Sequence, residues 1–170
     1  MAEPEYWLRG PIAGVAPLLQ PVAHALFQTR EDVAATLSCL PLEHLWSTSH
    51  GAASIGFHVK HLCGSLDRLL SYARGDALTA PQLAYLQTEH EPGAPPADAA
   101  ALVALVDAAV ERALLQLRGT SAATLTDARA VGRQRLPSTV IGLLFHAAEH
   151  TTRHAGQIIT TAKIVTAGVR

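Results

Sequence analysis

Four long stretches of the chain repeat apolar residues every three or four positions, which is the spacing of one face of an α-helix. No stretch shows the alternation of apolar and polar residues that is typical of a half-buried strand. The composition agrees, because 31 alanines and 24 leucines stand against eight aromatic residues, and alanine and leucine are strong helix formers. The sequence therefore predicts one all-α domain over residues 1–170, built as a four-helix bundle.

Capping residues and prolines set the predicted helix boundaries. Ser54 and Asp98 are suitable N-caps, and Gly75 suits the left-handed position just after a helix. The 22 residues between the second and third helices contain a predicted short helix near residues 81–87 and a Pro-rich linker, which is enough chain for a long crossover connection. The predicted long helices cover residues 18–40, 54–75, 98–119 and 137–167, with a loop at 41–53 and an irregular segment at 120–135.

Charge and targeting features exclude several classes of protein. Thirteen basic and 14 acidic residues give a net charge of -1 without a basic cluster, which argues against nucleic-acid binding. The N-terminus lacks the basic start and apolar run of a signal peptide, and no stretch reaches the roughly 18 apolar residues of a membrane span. Two cysteines without a CxxC motif predict free thiols, so a cytoplasmic protein with no membrane partner is expected.

Histidine is the unusual component of the composition, with nine residues against two lysines. In the last predicted helix, His146, His150 and His154 recur every four residues along one side, and Gln157 follows on the same side. The row lies at the edge of the apolar face, and two imidazoles one turn apart can bind one metal ion. The alternative is a row of solvated or separately hydrogen-bonded histidines, although burying several imidazoles without a shared partner costs free energy repeatedly.

A second histidine pair, His58 and His61, flanks the apolar face of the second predicted helix. A third ligand from a facing helix could complete a three-histidine site with this pair, and an ordinary pair of surface histidines is the alternative. Helical projection places His58 nearer the centre of the apolar face than His61. Glu149 precedes His150 rather than following it, so the sequence lacks the HExxH arrangement of zincin proteases.

Together, the two histidine clusters resemble those of the DinB/YfiT-like family of metal-dependent proteins. The resemblance is carried by WLRG at residues 7–10, SIGFHVKHL at 54–62, DRLL at 67–70 and HTTRHAGQI at 150–158. It implies a four-helix bundle of unusual connectivity, in which one histidine of the second helix and two of the last hold a metal ion. Position by position, the implied ligands are His61, His150 and His154. His58 competes with His61 for its position, and His146 is implied to line the pocket.

Three imidazoles suit a borderline divalent ion such as zinc, nickel or iron(II). Three protein ligands also leave coordination positions open, which is typical of a catalytic metal rather than a structural one. The sequence does not single out a catalytic residue. The residues predicted to orient the ligands or a small-molecule substrate are His58, His146, Glu149, Arg153 and Gln157.

The resemblance also implies a function, because relatives include transferases of low-molecular-weight thiols and a thiol-dependent maleylpyruvate isomerase. We therefore expect a metal-dependent enzyme of stress response or detoxification, which transfers a thiol of the bacillithiol or mycothiol type to an electrophile. A non-catalytic metal-binding stress-response module and a metal-dependent hydrolase are the alternatives. By analogy with the family, the protein is expected to be a homodimer.

Overall fold

The computed structural model describes residues 3–48 and 51–167, and within them the chain is mostly helical. Single 3₁₀ turns at Tyr6–Leu8, Pro17–Leu19 and Ala122–Thr124 accompany the regular elements. None of the helices in these two ranges has the length and apolar character needed to cross a membrane. In chain order the elements are α1 (Gln20–Leu37), α2 (Leu42–Leu45), α3 (Ile55–Arg74), α4 (Ala80–Thr88), α5 (Ala99–Gly119), β1 (Ala128–Val131), β2 (Leu136–Thr139) and α6 (Val140–Ala167).

The four long helices α1, α3, α5 and α6 are present, with α6 starting three residues later than predicted, and the predicted caps of α3 and α5 form. The side chain of Ser54 accepts a hydrogen bond from the backbone N–H of Phe57, and that of Asp98 accepts one from Ala101. Gly75 ends α3 with φ of 89°, a conformation that glycine adopts without the cost imposed by a Cβ atom. Local chemistry therefore fixes these helix ends before packing is considered.

Two local predictions are wrong. A short helix, α2, lies inside the predicted loop at 41–53, where Leu45 is fully buried. The irregular segment and the start of the last predicted helix instead form a hairpin, in which Pro137 of β2 faces Ala130 of β1. Each strand has only four residues and no alternating burial, so the sequence carries no strand pattern to detect.

The hairpin also explains why α6 begins at Val140 rather than at residue 137. The first N–H groups of a helix lack partners inside the helix. Here the backbone N–H of Val140 donates to the carbonyl of Asp127 at 3.1 Å, and that of Ile141 donates to Leu125 at 2.8 Å. The start of α6 is thus stabilised by the chain segment that precedes the hairpin.

Helix packing builds a continuous apolar core. α3 packs against both α5 and α6, and α1 packs against the same two helices. Large side chains from all four helices are fully buried, so their removal from water supplies most of the stabilisation. Representative members of this core are Leu26, Leu62, Leu114 and Ile158.

Contacts at both ends show that α3 and α5 run in the same direction. At their C-terminal ends, the side-chain amide of Gln116 donates to the carbonyl of Leu70 at 3.0 Å. At their N-terminal ends, Trp46 covers Gly56 of α3 while its indole N–H donates to the carbonyl of Ala97, next to α5. The connection between them must therefore return along α3, over about 30 Å for a 20-residue helix.

The returning connection includes α4 and packs on α3 along its path. Near its start, Gln82 donates to the carboxylate of Asp67 at 2.7 Å. Further along, the ammonium group of Lys60 donates to the carbonyls of Thr88 and Glu91, both at 2.7 Å. The crossover that the sequence predicts is present, and it brings the residues that follow α4 beside the N-terminal half of α3.

Candidate metal centre

The interface of α3 and α6 brings four histidines together. His58 and His61 lie in the first turns of α3, while His150 and His154 lie one turn apart in α6. The ring centroid of His61 lies 5.3 Å from that of His150 and 4.7 Å from that of His154. Helix packing thus joins histidines that are about 90 residues apart in the sequence.

Three of these residues present nitrogen atoms to a common point. His61, His150 and His154 each offer one ring nitrogen, and the three atoms lie within 4.8 Å of one another. The Nε2 atoms of His61 and His150 are 3.2 Å apart. Two nitrogens bound to one tetrahedral zinc ion lie about 3.3 Å apart, so this spacing suits shared metal ligands as well as a hydrogen bond.

His61 forms a hydrogen bond through Nδ1 with Glu89, a residue outside the predicted site. The Oε2 atom of Glu89 lies 2.7 Å from Nδ1 of His61, and the guanidinium of Arg68 donates to Oε1 at 2.6 Å. Burial opposes ionisation of Glu89, but the hydrogen bonds from His61 and Arg68 outweigh it and hold the pKa of Glu89 below its usual value. Glu89 is therefore a carboxylate, which only accepts hydrogen bonds, so Nδ1 of His61 carries a hydrogen.

His154 is supported by His58. Their Nδ1 atoms lie 3.1 Å apart, and both residues are buried. Burial and neighbouring histidines lower the pKa of His58 and lower that of His154 to about 4. Both imidazoles are therefore neutral at pH 7, and one Nδ1–H donates to the other Nδ1. The sequence left His58 as an alternative to His61. In the structure, His58 is outside the group of three and contacts His154 instead.

His150 is the least satisfied member of the group. Its Nδ1 atom is buried and has no hydrogen-bond partner within residues 3–48 and 51–167. Burial, followed by the proximity of His61 and His146, lowers its pKa, so this imidazole is neutral as well. Neutral, desolvated and incompletely bonded imidazoles fit a borderline divalent cation, because metal ligation requires the unprotonated nitrogen.

A family model described as the DinB superfamily matches residues 25–158, which include all four histidines. The chain belongs to the DinB superfamily. A search of curated proteins found no match. Among solved structures, the chain is similar to a conserved protein from Enterococcus faecalis, with 18% sequence identity and a TM-score of 0.70 over 88% of this chain and 97% of that one. At this identity the likeness concerns the fold.

The remaining predicted site residues of this DinB-superfamily protein lie away from the three nitrogens. Glu149 and Arg153 form an ion pair with each other, and Gln157 is exposed to solvent. His146 is half exposed, with its ring centroid 5.6 Å from that of His150 and its Nδ1 3.4 Å from Glu149. Glu89 and His58 instead form hydrogen bonds with rings of the group of three, whereas Arg153 and Gln157 are exposed to solvent.

Glu89 was missed because it lies in a Pro-rich segment that showed no motif. One signal was present in the sequence, namely Gly64 in the interior of α3, where glycine costs about 1 kcal/mol relative to alanine. A Cβ atom at Gly64 would collide with Glu89, Tyr85 and Arg68. An interior helix glycine beside a histidine pair thus indicated that another part of the chain approaches the helix closely.

Cys63 is not available as a nucleophile. Its side chain is buried, and burial raises the pKa of the thiol to about 12. Only a thiolate reacts readily, so this thiol is inert near neutral pH. The interpretation of Cys63 as a small core residue agrees with the structure.

Proposed function

We propose that this DinB-superfamily protein binds a divalent metal ion through His61, His150 and His154 and uses it to transfer a low-molecular-weight thiol to an electrophile. The four long helices are proposed to form the expected four-helix bundle. The observation that carries the proposal is the convergence of three ring nitrogens within 4.8 Å, on two helices that meet in the core. Zinc, nickel and iron(II) are the ions that such a nitrogen donor set favours.

The chain's own residues prepare this site for a metal. Burial keeps His150 and His154 neutral. Hydrogen bonds of His61 with Glu89 and of His154 with His58 fix the orientation of these two rings. The side chain of His61 is 23% exposed, so the centre reaches solvent at one edge. A bound ion would act as a Lewis acid that lowers the pKa of a coordinated thiol. Cys63 is inert and the exposed Cys39 is not part of the group of three, so the reacting thiol would come from a small-molecule cofactor of the bacillithiol or mycothiol type.

The metal half of the proposal is tested by elemental analysis of protein purified without a histidine tag and without added metal. We expect about one equivalent of zinc, nickel or iron per chain, and a His150→Ala/His154→Ala double variant should lose it. A His24→Ala/His90→Ala double variant is the matched control, because it also removes two histidines and both lie outside the group of three. Wild-type protein that stays metal-free after incubation with zinc or nickel would overturn this half.

The thiol half is tested with a model electrophile such as monochlorobimane. Bacillithiol, mycothiol and glutathione are each supplied to metal-loaded protein, and consumption of the thiol is followed over time. We expect consumption of one thiol above the rate of the uncatalysed reaction, and loss of this excess in the His150→Ala/His154→Ala variant. If the metal binds but no thiol is consumed, the transferase assignment fails while the metal site stands.

A non-catalytic metal-binding module is the second candidate, and one observation favours it. Two cavities of about 410 and 400 Å³ lie elsewhere on the molecule, the first against Phe145 on α6 and the second beside the β-hairpin. Neither is lined by the three histidines. Full metal occupancy without turnover of any thiol would support this candidate. A hydrolase is less well supported, because Glu149 is paired with Arg153 rather than free to act as a general base.

A further inference from the structure

We propose that Glu89 is a positioning residue of the metal centre: it holds the hydrogen of the His61 imidazole on Nδ1 and thereby leaves Nε2 as the nitrogen that binds metal. The effect of Glu89 on metal affinity rests on the proposed metal site. The tautomer of His61 itself is a property of the metal-free protein. Carboxylates that accept the second N–H of a metal-bound histidine fix the ring orientation and increase its basicity. Glu89 lies 28 residues after His61, in a segment without a recognisable motif.

Each carboxylate oxygen of Glu89 accepts a hydrogen bond from a different residue. Oε2 faces His61 and Oε1 accepts from Arg68, while the residue as a whole is only 2% exposed. A carboxylate in this setting cannot turn towards solvent without leaving two partly buried donors, His61 and Arg68, unpaired. The pair of contacts therefore defines one orientation of the carboxylate and, through it, one tautomer of His61.

The backbone around Glu89 is fixed as well. Lys60, which precedes His61 in α3, donates to the carbonyls of Thr88 and Glu91 on either side of Glu89. The hydroxyl of Tyr85 donates to the carbonyl of Lys60 at 3.2 Å, and Gly64 provides the space that the carboxylate fills. The crossover thus delivers the carboxylate to α3 with little freedom, as a positioning role requires.

Replacement of Glu89 by glutamine should move the imidazole hydrogen of His61 from one ring nitrogen to the other. Arg68 has only N–H donors, so it will keep the amide oxygen of the new side chain at its own side. The amide NH₂ group would then face Nδ1 of His61, which must become an acceptor. The imidazole hydrogen would move to Nε2, the atom that lies 3.2 Å from Nε2 of His150. A nearly isosteric change would thus block the ligand nitrogen without removing any ligand.

The test is long-range ¹H–¹⁵N correlation spectroscopy of the metal-free protein at pH 8, which reports which ring nitrogen of His61 carries the hydrogen. We expect Nδ1–H in the wild type, Nε2–H in Glu89→Gln, and no change in Glu91→Gln, an exposed glutamate of the same segment. Wild-type protein with Nε2–H, or a tautomer that is the same in Glu89→Gln, would overturn the inference. The wild-type spectrum alone decides the first point even if the variant fails to fold.

Zinc titration of the same three proteins measures how the tautomer of His61 affects metal affinity. Loss of a hydrogen-bonded partner of a metal ligand typically weakens binding by about 10- to 100-fold, so Glu89→Gln should lose that factor and Glu91→Gln should not. If the tautomer changes but wild-type protein binds no zinc, the proposed metal site fails while the positioning inference stands. If zinc binds equally to all three proteins, the positioning inference fails and the metal site stands.

Discussion

The Nε2 atom of His61 in α3 lies 3.2 Å from the Nε2 atom of His150 in α6, although 89 residues separate them in the sequence. Two half-buried imidazoles gain little free energy from lying this close together unless they share a hydrogen or a cation. With His154 they form the group whose nitrogens lie within 4.8 Å. Substitutions in this group and in its supporting residues should therefore have different effects on metal binding and stability.

His61→Ala should abolish stoichiometric zinc binding, whereas His58→Ala should weaken it by about 10- to 100-fold. His61 belongs to the group of three, while His58 lies outside it and pairs through Nδ1 with Nδ1 of His154. Isothermal titration of both variants with zinc measures the difference. The opposite ranking would show that His58 is the ligand from α3.

Metal should raise the thermal stability of the protein, since an ion that binds only the folded state adds free energy of unfolding. At a free zinc concentration 100 times the dissociation constant, the gain is about 2.7 kcal/mol. Differential scanning calorimetry with zinc and with EDTA measures the shift in Tm. The His150→Ala/His154→Ala variant should melt at the same temperature in both solutions, and an equal shift there would place the binding site elsewhere.

The stability of the metal-free protein should fall as pH decreases from about 6.5 towards 4. Burial, with neighbouring histidines, lowers the pKa of His154 from 6.5 to about 4, and the pKa values of His58 and His150 are lowered as well. In this range the unfolded chain binds protons that the folded chain does not, so the free energy of unfolding rises with pH. His154 alone accounts for a loss on the order of 2 kcal/mol between pH 7.5 and pH 5.

Urea denaturation in EDTA at these two pH values measures that loss. His154→Gln should reduce the dependence on pH, and His90→Gln, which changes an exposed histidine, should leave it unaltered. A metal-free protein as stable at pH 5 as at pH 7.5 would contradict the burial of neutral histidines.

Gly64→Ala should destabilise the protein by about 1–3 kcal/mol, because the added methyl group overlaps Glu89, Tyr85 and Arg68. The matched control is Gly156→Ala in α6, where nothing lies within 4 Å of an added Cβ atom. That control should be neutral or stabilising by up to about 1 kcal/mol, since alanine is the better helix former. Urea denaturation of both variants tests the contrast, and equal effects would mean that the crossover does not pack on α3 at Gly64.

Much of the helical framework could be predicted from local sequence. Ser54, Gly75 and Asp98 act within one turn of the backbone, so their preferences are visible without knowledge of the fold. The hairpin before α6 could not be predicted, because its strands are short and its pairing depends on hydrogen bonds with partners outside each strand. The residues just before the hairpin also determine the start of α6, because Asp127 accepts a hydrogen bond from the backbone N–H of Val140.

The row of histidines in α6 and the pair in α3 are determined by the sequence alone, since helical spacing places the members of each group on one side. Which nitrogens meet was decided by tertiary structure, because the rotation and register of α3 against α6 follow from packing of the whole core. The same holds for Glu89, whose approach to His61 depends on a crossover that returns along α3. Sequence spacing acts over one or two turns, whereas a carboxylate 28 residues away is placed only by the path of the folded chain.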